Sequence, residues 1–410
     1  MSTPNDNPVP TVRVLPETLH RAAAEVFGGA YLIGPVTDQM WERSLPMYRA
    51  SLVQGIVEDD GVVGGVARSW EVELDVPGGR VPAAAVSSVG VRADRRRRGY
   101  LRALMQAQLQ TTRDNGALVA VLRATEASIY SRFGYGVAST YATLKVTRRR
   151  AVLRPGAAAE RRLKMITPEA AVRELPAVYE RIRTARPGTV SRPSWWWAGM
   201  VDRHLHKDRP VWVLCTVDDD DQVDGFLLYT VNNRDGWDDP QQAVVEVLDL
   251  RAVDERVELA LWQAAFGIDL SEHLLAHGRP LDPVLDLALV DPRAAVTTDV
   301  EDETWLRLLD VPAALSARSY GAGEPVVIGV DDQLMPDNSG RYRVSTDGVQ
   351  RTDAEAELHC EVGELAAVYL GGTSFTQLAA AGRVRGSSEV LARADALFGT
   401  PRLPWSGTYY

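Results

Sequence analysis

Cysteine is scarce in this chain: among 410 residues only Cys215 and Cys360 occur. They lie far apart in apolar, strand-like surroundings, so neither a disulfide framework nor a cysteine-based metal site is expected. No apolar stretch approaches the ~20 residues that a membrane-spanning helix needs. The first ten residues are polar and contain proline. We therefore expect a cytoplasmic protein without a signal peptide or a membrane anchor.

An excess of positive charge is also missing, since 45 basic residues face 55 acidic ones and the net charge is -10. This balance argues against a nucleic-acid partner and favours, weakly, a small cationic one. His204 and His206 are close enough in sequence to share a metal, but no third ligand is evident. Two solvent-facing strand residues are the better interpretation, so no metal is expected.

The length exceeds the ~250 to 300 residues at which a single hydrophobic core stops growing, so two or three domains are expected. Residues 52–146 predict an antiparallel meander, a buried strand, a basic turn, a helix over about 100–114 and further strands, the last over 141–146. Residues 168–266 repeat this order. From about residue 297, an amphipathic stretch over 305–309 opens a third unit with strands, two short helices and an aromatic tail. The predicted fold class is α/β (α+β).

The basic turn combines features of an anion site. It comprises Arg96, Arg97, Arg98, Gly99, Tyr100, Leu101 and Arg102, and it follows the apolar strand end Val89-Gly90-Val91. Free backbone N–H groups and the helix dipole meet at such a strand-to-helix turn, and a glycine lets the backbone approach a phosphate closely. A run of arginines alone indicates more often a solvated face or a nucleic-acid patch. The apolar strand, the amphipathic helix and the negative net charge favour a phosphate site here.

A second copy of this turn differs in charge. Val89-Gly90-Val91-Arg92-Ala93 aligns with Leu248-Asp249-Leu250-Arg251-Ala252, but the second turn continues with Asp254, Glu255 and Arg256 and has no glycine. Carboxylates at the start of a helix would repel a phosphate. We therefore predict that the second unit is a structural relic and that the chain has one phosphate site.

The spacing Arg96-x-x-Gly99-x-Leu101 after Val89-x-Val91 is similar to the coenzyme A motif of GCN5-related N-acetyltransferases (GNAT), which usually carry glycine or alanine where Leu101 stands. The wider sequence resembles one branch, the enhanced intracellular survival (Eis) family. Further stretches carry this likeness: Ile33-Gly34-Pro35 with Trp41, Ile129-Tyr130-Ser131-Arg132-Phe133-Gly134-Tyr135-Gly136, Asp310-Val311-Pro312-Ala313-Ala314-Leu315, and Tyr369-Leu370-Gly371-Gly372.

The resemblance implies tandem GNAT-fold domains followed by a domain like sterol carrier protein, with boundaries expected at 1–148, 149–296 and 297–410, and assembly into homohexamers. It also implies acetyl-CoA as co-substrate. By this resemblance the pantetheine would pair with Val89, Gly90 and Val91, and the phosphates would lie on Arg96, Arg97, Arg98, Gly99, Tyr100, Leu101 and Arg102. Thr125 and Glu126 would line the same site.

Two catalytic roles follow from the same resemblance. Tyr130 would be the general acid, since a phenol of pKa ~10 can protonate the thiolate that an attacking amine expels. The terminal carboxylate of Tyr410 would be the general base, which fits the proline-stiffened, aromatic tail. Taken alone, an isolated tyrosine in a short helix more often serves packing, and most chain ends are loose.

The acceptor side carries Tyr31, Trp41 and Tyr409 as candidate substrate-binding residues. Tyr31 and Tyr409 stand where the family's aminoglycoside acetylases have acidic residues, which argues against a preference for aminoglycosides. Asp38, Glu42 and Asp75 are acidic residues that could compensate. An aminoglycoside, a polyamine and a lysine-like amine all stay open as acceptors. The alternative from another class is a non-catalytic protein that binds lipid or a partner on a GNAT scaffold.

Overall fold

The computed structural model describes residues 10–183, 186–205, 209–232, 243–269 and 271–409. They form three β-sheets with helices packed on them. The predicted mixed α/β class is confirmed, with two large sheets followed by a smaller α+β sheet.

The first sheet has the strand order β1-β2-β3-β4-β5-β14-β6. Its strands are β1 (Arg13–Val14), β2 (Leu52–Val57), β3 (Val63–Val76), β4 (Gly79–Val91), β5 (Val119–Leu122), β6 (Gly136–Val137) and β14 (Trp305–Leu308). The helices of this region are α1 (His20–Ala30), α2 (Asp38–Arg49), α3 (Tyr100–Asp114) and α4 (Ala127–Tyr130). Helix α3 has the bounds predicted from the sequence.

The second sheet has the order β13-β7-β12-β11-β10-β9-β8. Its strands are β7 (Thr140–Thr147), β8 (Arg162–Ile166), β9 (Val211–Val217), β10 (Val223–Asn232), β11 (Val244–Ala252), β12 (His273–Arg279) and β13 (Ala295–Asp302). The helices here are α5 (Pro168–Ile182), α6 (Ser194–Leu205), α7 (Glu255–Phe266) and α8 (Leu285–Ala288). His204 therefore lies in a helix, not in the predicted strand, and His206 lies outside the described residues.

The third sheet has the order β17-β16-β15-β18-β19. Its elements are α9 (Val311–Ser316), β15 (Val326–Asp331), β16 (Gly340–Ser345), β17 (Gly348–Arg351), β18 (Leu358–Glu361), α10 (Val362–Val368), α11 (Phe375–Ala380), β19 (Arg385–Gly386) and α12 (Ser388–Phe398). One continuous apolar cluster joins this sheet to the first, because it contains Leu74 and Val81 of the first sheet as well as Ile328 and Tyr342 of the third. The third unit is thus fixed against the first.

The two large sheets are copies of one design. In each, a meander leads to a parallel strand pair, β4 with β5 and β11 with β12. In each sheet, the strand that precedes the turn, β4 or β11, pairs with its antiparallel neighbour through a β-bulge. The register shifts between Val66 and Arg68 of β3 in the first sheet, and between Leu228 and Tyr229 of β10 in the second. The internal repeat proposed from the sequence is therefore present in the strand order and in the bulge.

The sheets also exchange strands, which the sequence did not reveal. The strand over 141–146 was predicted to close the first unit, but β7 pairs with β12 and β13 of the second sheet. The stretch over 305–309 was predicted to open the third unit, but β14 inserts between β5 and β6 of the first sheet. Both expectations were wrong because the alternation within a strand does not specify its partner. The domain boundaries at 148 and 296 stay predictions.

Among the described residues, no helix combines the length and the apolar composition that crossing a bilayer requires.

Candidate active site

The basic turn leads directly into helix α3. Gly99 precedes the first helical residue, Tyr100, and has a left-handed backbone with φ 79°. A Cβ at Gly99 would meet only Pro10, at 4.0 Å, so the backbone conformation and not the space requires glycine. Any other L-residue would pay about 1 to 2 kcal/mol for this conformation. Arg97 is also left-handed, with φ 62°, so the turn is tightly curled at the helix N-terminus.

The arginines of the turn and the one directly before it fall into two groups. Arg95 is tied to Glu58, at 2.5 Å, and to Asp94. The Tyr100 hydroxyl donates to the same Glu58 carboxylate at 2.7 Å, and the hydrogen bond from Arg95 lowers the pKa of Glu58. The second group is exposed and has no ion-pair partner within the part of the chain that the structure describes. It consists of Arg96, Arg97, Arg98 and Arg102. Its positive charge remains available to an anion.

A gap opens in the sheet beside this turn. Strands β4 and β5 pair in parallel from Ala83 with Val119 to Ala85 with Val121. Strand β5 then ends at Leu122, whereas β4 continues to Val91 through a left-handed Ser88 with φ 52°. The strand end Val89-Gly90-Val91 thus borders an opening. At Gly90 a Cβ would lie 3.2 Å from Phe27 Cα, so close packing of α1 accounts for that glycine.

Tyr130 packs beside the same gap. It is buried in a cluster with Val86 and Leu122, and its ring meets Tyr135 edge-on at 5.9 Å. Burial raises the pKa of Tyr130 well above its usual value, and the nearby Tyr31 and Glu126 raise it further. The phenol therefore stays protonated at neutral pH, as a general acid requires.

The structure brings three predicted site residues to this place, of which Thr125 and Glu126 are close to Tyr130 in sequence and Tyr31 is distant. The Tyr31 hydroxyl lies 3.0 Å from Thr125 Oγ1, and both Tyr31 and Glu126 act on Tyr130 electrostatically. Trp41 contacts the Tyr48 ring at 5.4 Å and packs in a separate cluster with α1 and β2. No contact places Trp41 beside Tyr130 among the described residues.

The acidic residues considered as compensation are engaged elsewhere or point to solvent. Asp38 is exposed and pairs with Arg21 at 2.7 Å. Asp75 is buried beside Arg80, at 2.7 Å, and Arg183, at 3.5 Å. Burial raises the pKa of Asp75 to about 6, although both arginines oppose the shift. Glu42 is exposed.

The C-terminal tail is docked, as its aromatic and proline-rich sequence suggested. Trp405, Ser406 and Thr408 are buried. The Tyr409 ring lies over the guanidinium of Arg123, and the Tyr409 carbonyl accepts a 2.5 Å hydrogen bond from Trp196. Tyr410, the predicted base, lies outside the described residues.

Residues that sequence reasoning missed hold this tail. Glu303 accepts from the backbone of Ser406 and Gly407, while Arg192 and Arg251 donate to tail carbonyls. They come from three separate stretches of the chain, and none belongs to a motif. Only the aromatic composition of the tail indicated that something must receive it.

The second copy of the turn is occupied by its own side chains. Asp254 caps helix α7 by accepting from Val257 N at 2.9 Å, and Glu255 pairs with Arg402 of the tail at 3.0 Å. The helix N-terminus that would attract a phosphate is thus already satisfied by carboxylates. This arrangement supports the prediction of a single phosphate site.

Comparison with known families agrees with this geometry. An acetyltransferase (GNAT) domain matches residues 11–138, a second acetyltransferase (GNAT) domain matches residues 188–308, and a sterol carrier protein domain matches residues 311–407. These matches support acyl transfer and imply acetyl-CoA as the co-substrate.

Curated relatives and solved structures extend over nearly the whole chain. An uncharacterized N-acetyltransferase of Streptomyces coelicolor is 36% identical and covers 86% of this chain and 87% of its own. The N-acetyltransferase Eis of Mycobacterium tuberculosis is 35% identical and covers 89% of this chain and 90% of its own. The crystal structure of Eis1 from Mycobacterium abscessus superposes with a TM-score of 0.88 at 36% identity, over 98% of this chain and all of the other. Likeness at this level across both full lengths shows that the chain belongs to the Eis family of GCN5-related N-acetyltransferases.

Proposed function

We propose that this acetyltransferase moves the acetyl group of acetyl-CoA to a primary amine by direct attack, in a site built by the first sheet and completed by the C-terminal tail. The observation that carries the proposal is the position of Tyr130. It lies buried, with a raised pKa, next to the open end of β4 and β5.

The basic turn supports the binding half of this proposal. Arg96, Arg97 and Arg98, with Arg102 on the first turn of α3, are exposed around a helix N-terminus. Charge and free N–H groups therefore converge on one place, as phosphate binding requires. Val89, Gly90 and Val91 would pair with the pantetheine, and Thr125 and Glu126 would line its path.

The chemical half assigns one proton transfer to Tyr130. The amine nitrogen bonds to the thioester carbon, the C–S bond then breaks, and the departing sulfur takes a proton from the Tyr130 hydroxyl. A phenol whose pKa is raised remains protonated until charge develops on the sulfur. General acid catalysis of this kind contributes about 10² to 10⁴ in rate.

The acceptor must also lose a proton, and we assign that step to the terminal carboxylate of Tyr410. The assignment rests on the family resemblance and on the docking of the preceding residue, Tyr409, over Arg123. A carboxylate of pKa ~3.5 can accept the proton through an intervening water if its site is partly desolvated.

The acceptor is a primary amine of the aminoglycoside, polyamine or lysine-like type. Tyr31 and Tyr409 supply aromatic faces and no negative charge, which suits an amine with one cationic centre better than a polycation. Glu126 is the exposed carboxylate that acts on Tyr130. Hexameric assembly, which the resemblance implies, and a cytoplasmic location, which the sequence composition favours, are further proposals that sedimentation and cell fractionation would test.

The rival function is a non-catalytic protein that binds lipid or a partner on the same scaffold. Release of free thiol from acetyl-CoA, followed with a panel of amines and lysine peptides, separates the two. We expect amine-dependent thiol release. Tight binding of acetyl-CoA without thiol release for any amine would favour the rival.

A further inference from the structure

The second sheet opens at the same place as the first. Strands β11 and β12 pair in parallel from Val244 with His273 to Val247 with Ala276, and β11 then continues to Ala252. In the first sheet the corresponding opening is the place proposed for the pantetheine. The second opening is therefore the position where a second pantetheine would lie if the two units were equivalent.

The C-terminal tail fills it. The Trp405 indole donates to the Gly278 carbonyl of β12 at 2.8 Å. The Trp405 ring lies 4.0 Å from the guanidinium carbon of Arg251 on β11 and 5.1 Å from that of Arg279 on β12. Arg279 in turn donates to the Leu250 carbonyl at 3.0 Å. The tail and both strands thus close the opening together.

The backbone of the next two tail residues is fully engaged. Glu303 accepts from Ser406 N at 2.8 Å and from Gly407 N at 2.7 Å. Arg251 Nη2 donates to the Ser406 carbonyl at 2.8 Å and to the Gly407 carbonyl at 2.9 Å. Arg192 donates to the Gly407 carbonyl at 3.0 Å. Charged groups are costly to bury unless they are paired, so their convergence on one segment indicates a built receptor.

The same receptor reaches the first unit. Glu303, which is fully buried, also accepts from Arg123 at 3.0 Å and from Ser139 at 2.9 Å. Arg123 directly follows β5, and its guanidinium contacts the face of the Tyr409 ring. The Glu303 carboxylate that binds the tail backbone therefore also positions Arg123, which contacts the ring of Tyr409.

We propose that the relic opening of the second sheet is a receptor for residues 405–408 of this same chain. Arg192, Arg251 and Glu303 are its positioning residues, and they set where Tyr409 stands relative to Tyr130. This inference rests on the proposed function, since the tail has a catalytic role only if amine acetylation occurs. It assigns to the second unit the task of aligning the active site of the first.

Gly407 offers the sharpest test. Its backbone is left-handed, with φ 57°, and an added Cβ would lie 2.4 Å from Arg251 Nη2 and 2.4 Å from Trp405 Cζ2. In the variant Gly407→Ala, Arg251 or Trp405 must therefore move, which should weaken the docking of the tail. Gly382 is a matched control, because its φ is 75° and a Cβ there would have no atom within 4 Å.

The experiment compares wild type, Gly407→Ala and Gly382→Ala in trypsin cleavage at the Arg402-Leu403 bond and in steady-state kinetics. For Gly407→Ala we expect cleavage about tenfold faster, kcat about tenfold lower and KM for acetyl-CoA within about twofold of wild type. Gly382→Ala should match wild type in all three. A tail that stays protected in Gly407→Ala, or one that is released with kcat unchanged, would overturn the proposal.

A second variant guards against a general loss of structure. Thr408→Val removes the hydroxyl that accepts from Arg192 Nε at 3.1 Å and keeps the shape of the side chain. For Thr408→Val we expect cleavage about threefold faster and kcat about threefold lower than in wild type. Wild-type behaviour in both assays would count against the receptor. Proteolysis needs no acetyl transfer, so absence of activity in wild type would refute the proposed function while the protease assay still decides whether the tail is held.

Discussion

The ring of Tyr409 lies over the guanidinium of Arg123, with 3.8 Å between its centroid and Arg123 Cζ. One residue belongs to the tail and the other directly follows β5, so this contact joins the end of the chain to the wall of the active site. Such a contact is worth about 0.5 to 2 kcal/mol, depending on its desolvation.

Removing the ring of Tyr409 should therefore impair turnover. We expect Tyr409→Leu to lower kcat by about three- to tenfold, because a leucine cannot hold the tail over Arg123. Tyr409→Phe keeps the aromatic face and should stay within about twofold of wild type. If both variants behave alike, the stacking of Tyr409 does not contribute.

The glycine of the basic turn should control acetyl-CoA affinity. Gly99→Asp forces a side chain into a left-handed position and adds negative charge at a phosphate site, so we expect binding to weaken by at least about tenfold. Gly116→Asp is the control, since Gly116 is left-handed, with φ 92°, in open space at the other end of α3. Calorimetry should give one molecule of CoA per chain. Two molecules per chain, or undiminished affinity in Gly99→Asp, would show that the phosphate site was misplaced.

Tyr130 should act on the rate and not on cofactor binding. Its hydroxyl matters only as charge develops on the departing sulfur, so Tyr130→Phe should lower kcat by about 10²-fold with acetyl-CoA affinity nearly intact. Tyr135→Phe is a matched control, because the Tyr135 ring packs edge-on against Tyr130 and its buried hydroxyl has no hydrogen-bond partner among the described residues. Wild-type turnover in Tyr130→Phe would eliminate the general acid role.

The sequence predicted the first sheet well where the signal was local. The amphipathic pattern predicted the bounds of helix α3, and the basic turn with Gly99 was predicted from its place before that helix. The exchange of β7 and β14 was not predicted, because several apolar strands fit the same position in a sheet equally well. Glu303 was missed for a related reason, because its partners Arg123, Ser139, Ser406 and Gly407 all lie more than 100 residues away in sequence. An acidic residue that follows Glu301 and Asp302 also has the sequence pattern of an exposed one.

We expect the free terminal carboxylate of Tyr410 to be required for turnover. Appending a few residues after Tyr410 displaces the carboxylate and leaves every other residue unchanged, so we expect turnover to fall by at least about tenfold with acetyl-CoA affinity retained. Equal turnover and an equal pH profile in the extended chain would restrict the tail to a structural role. The base would then have to be sought among first-sheet residues such as Glu126.

The mass of the acceptor after reaction tests the central claim most directly. Wild-type protein, acetyl-CoA and a panel of primary amines should yield an amine that carries one acetyl group, with one equivalent of free thiol, and Tyr130→Phe should yield about 10²-fold less in the same time. An unmodified amine panel in the presence of bound acetyl-CoA, or equal yields from wild type and Tyr130→Phe, would contradict the account.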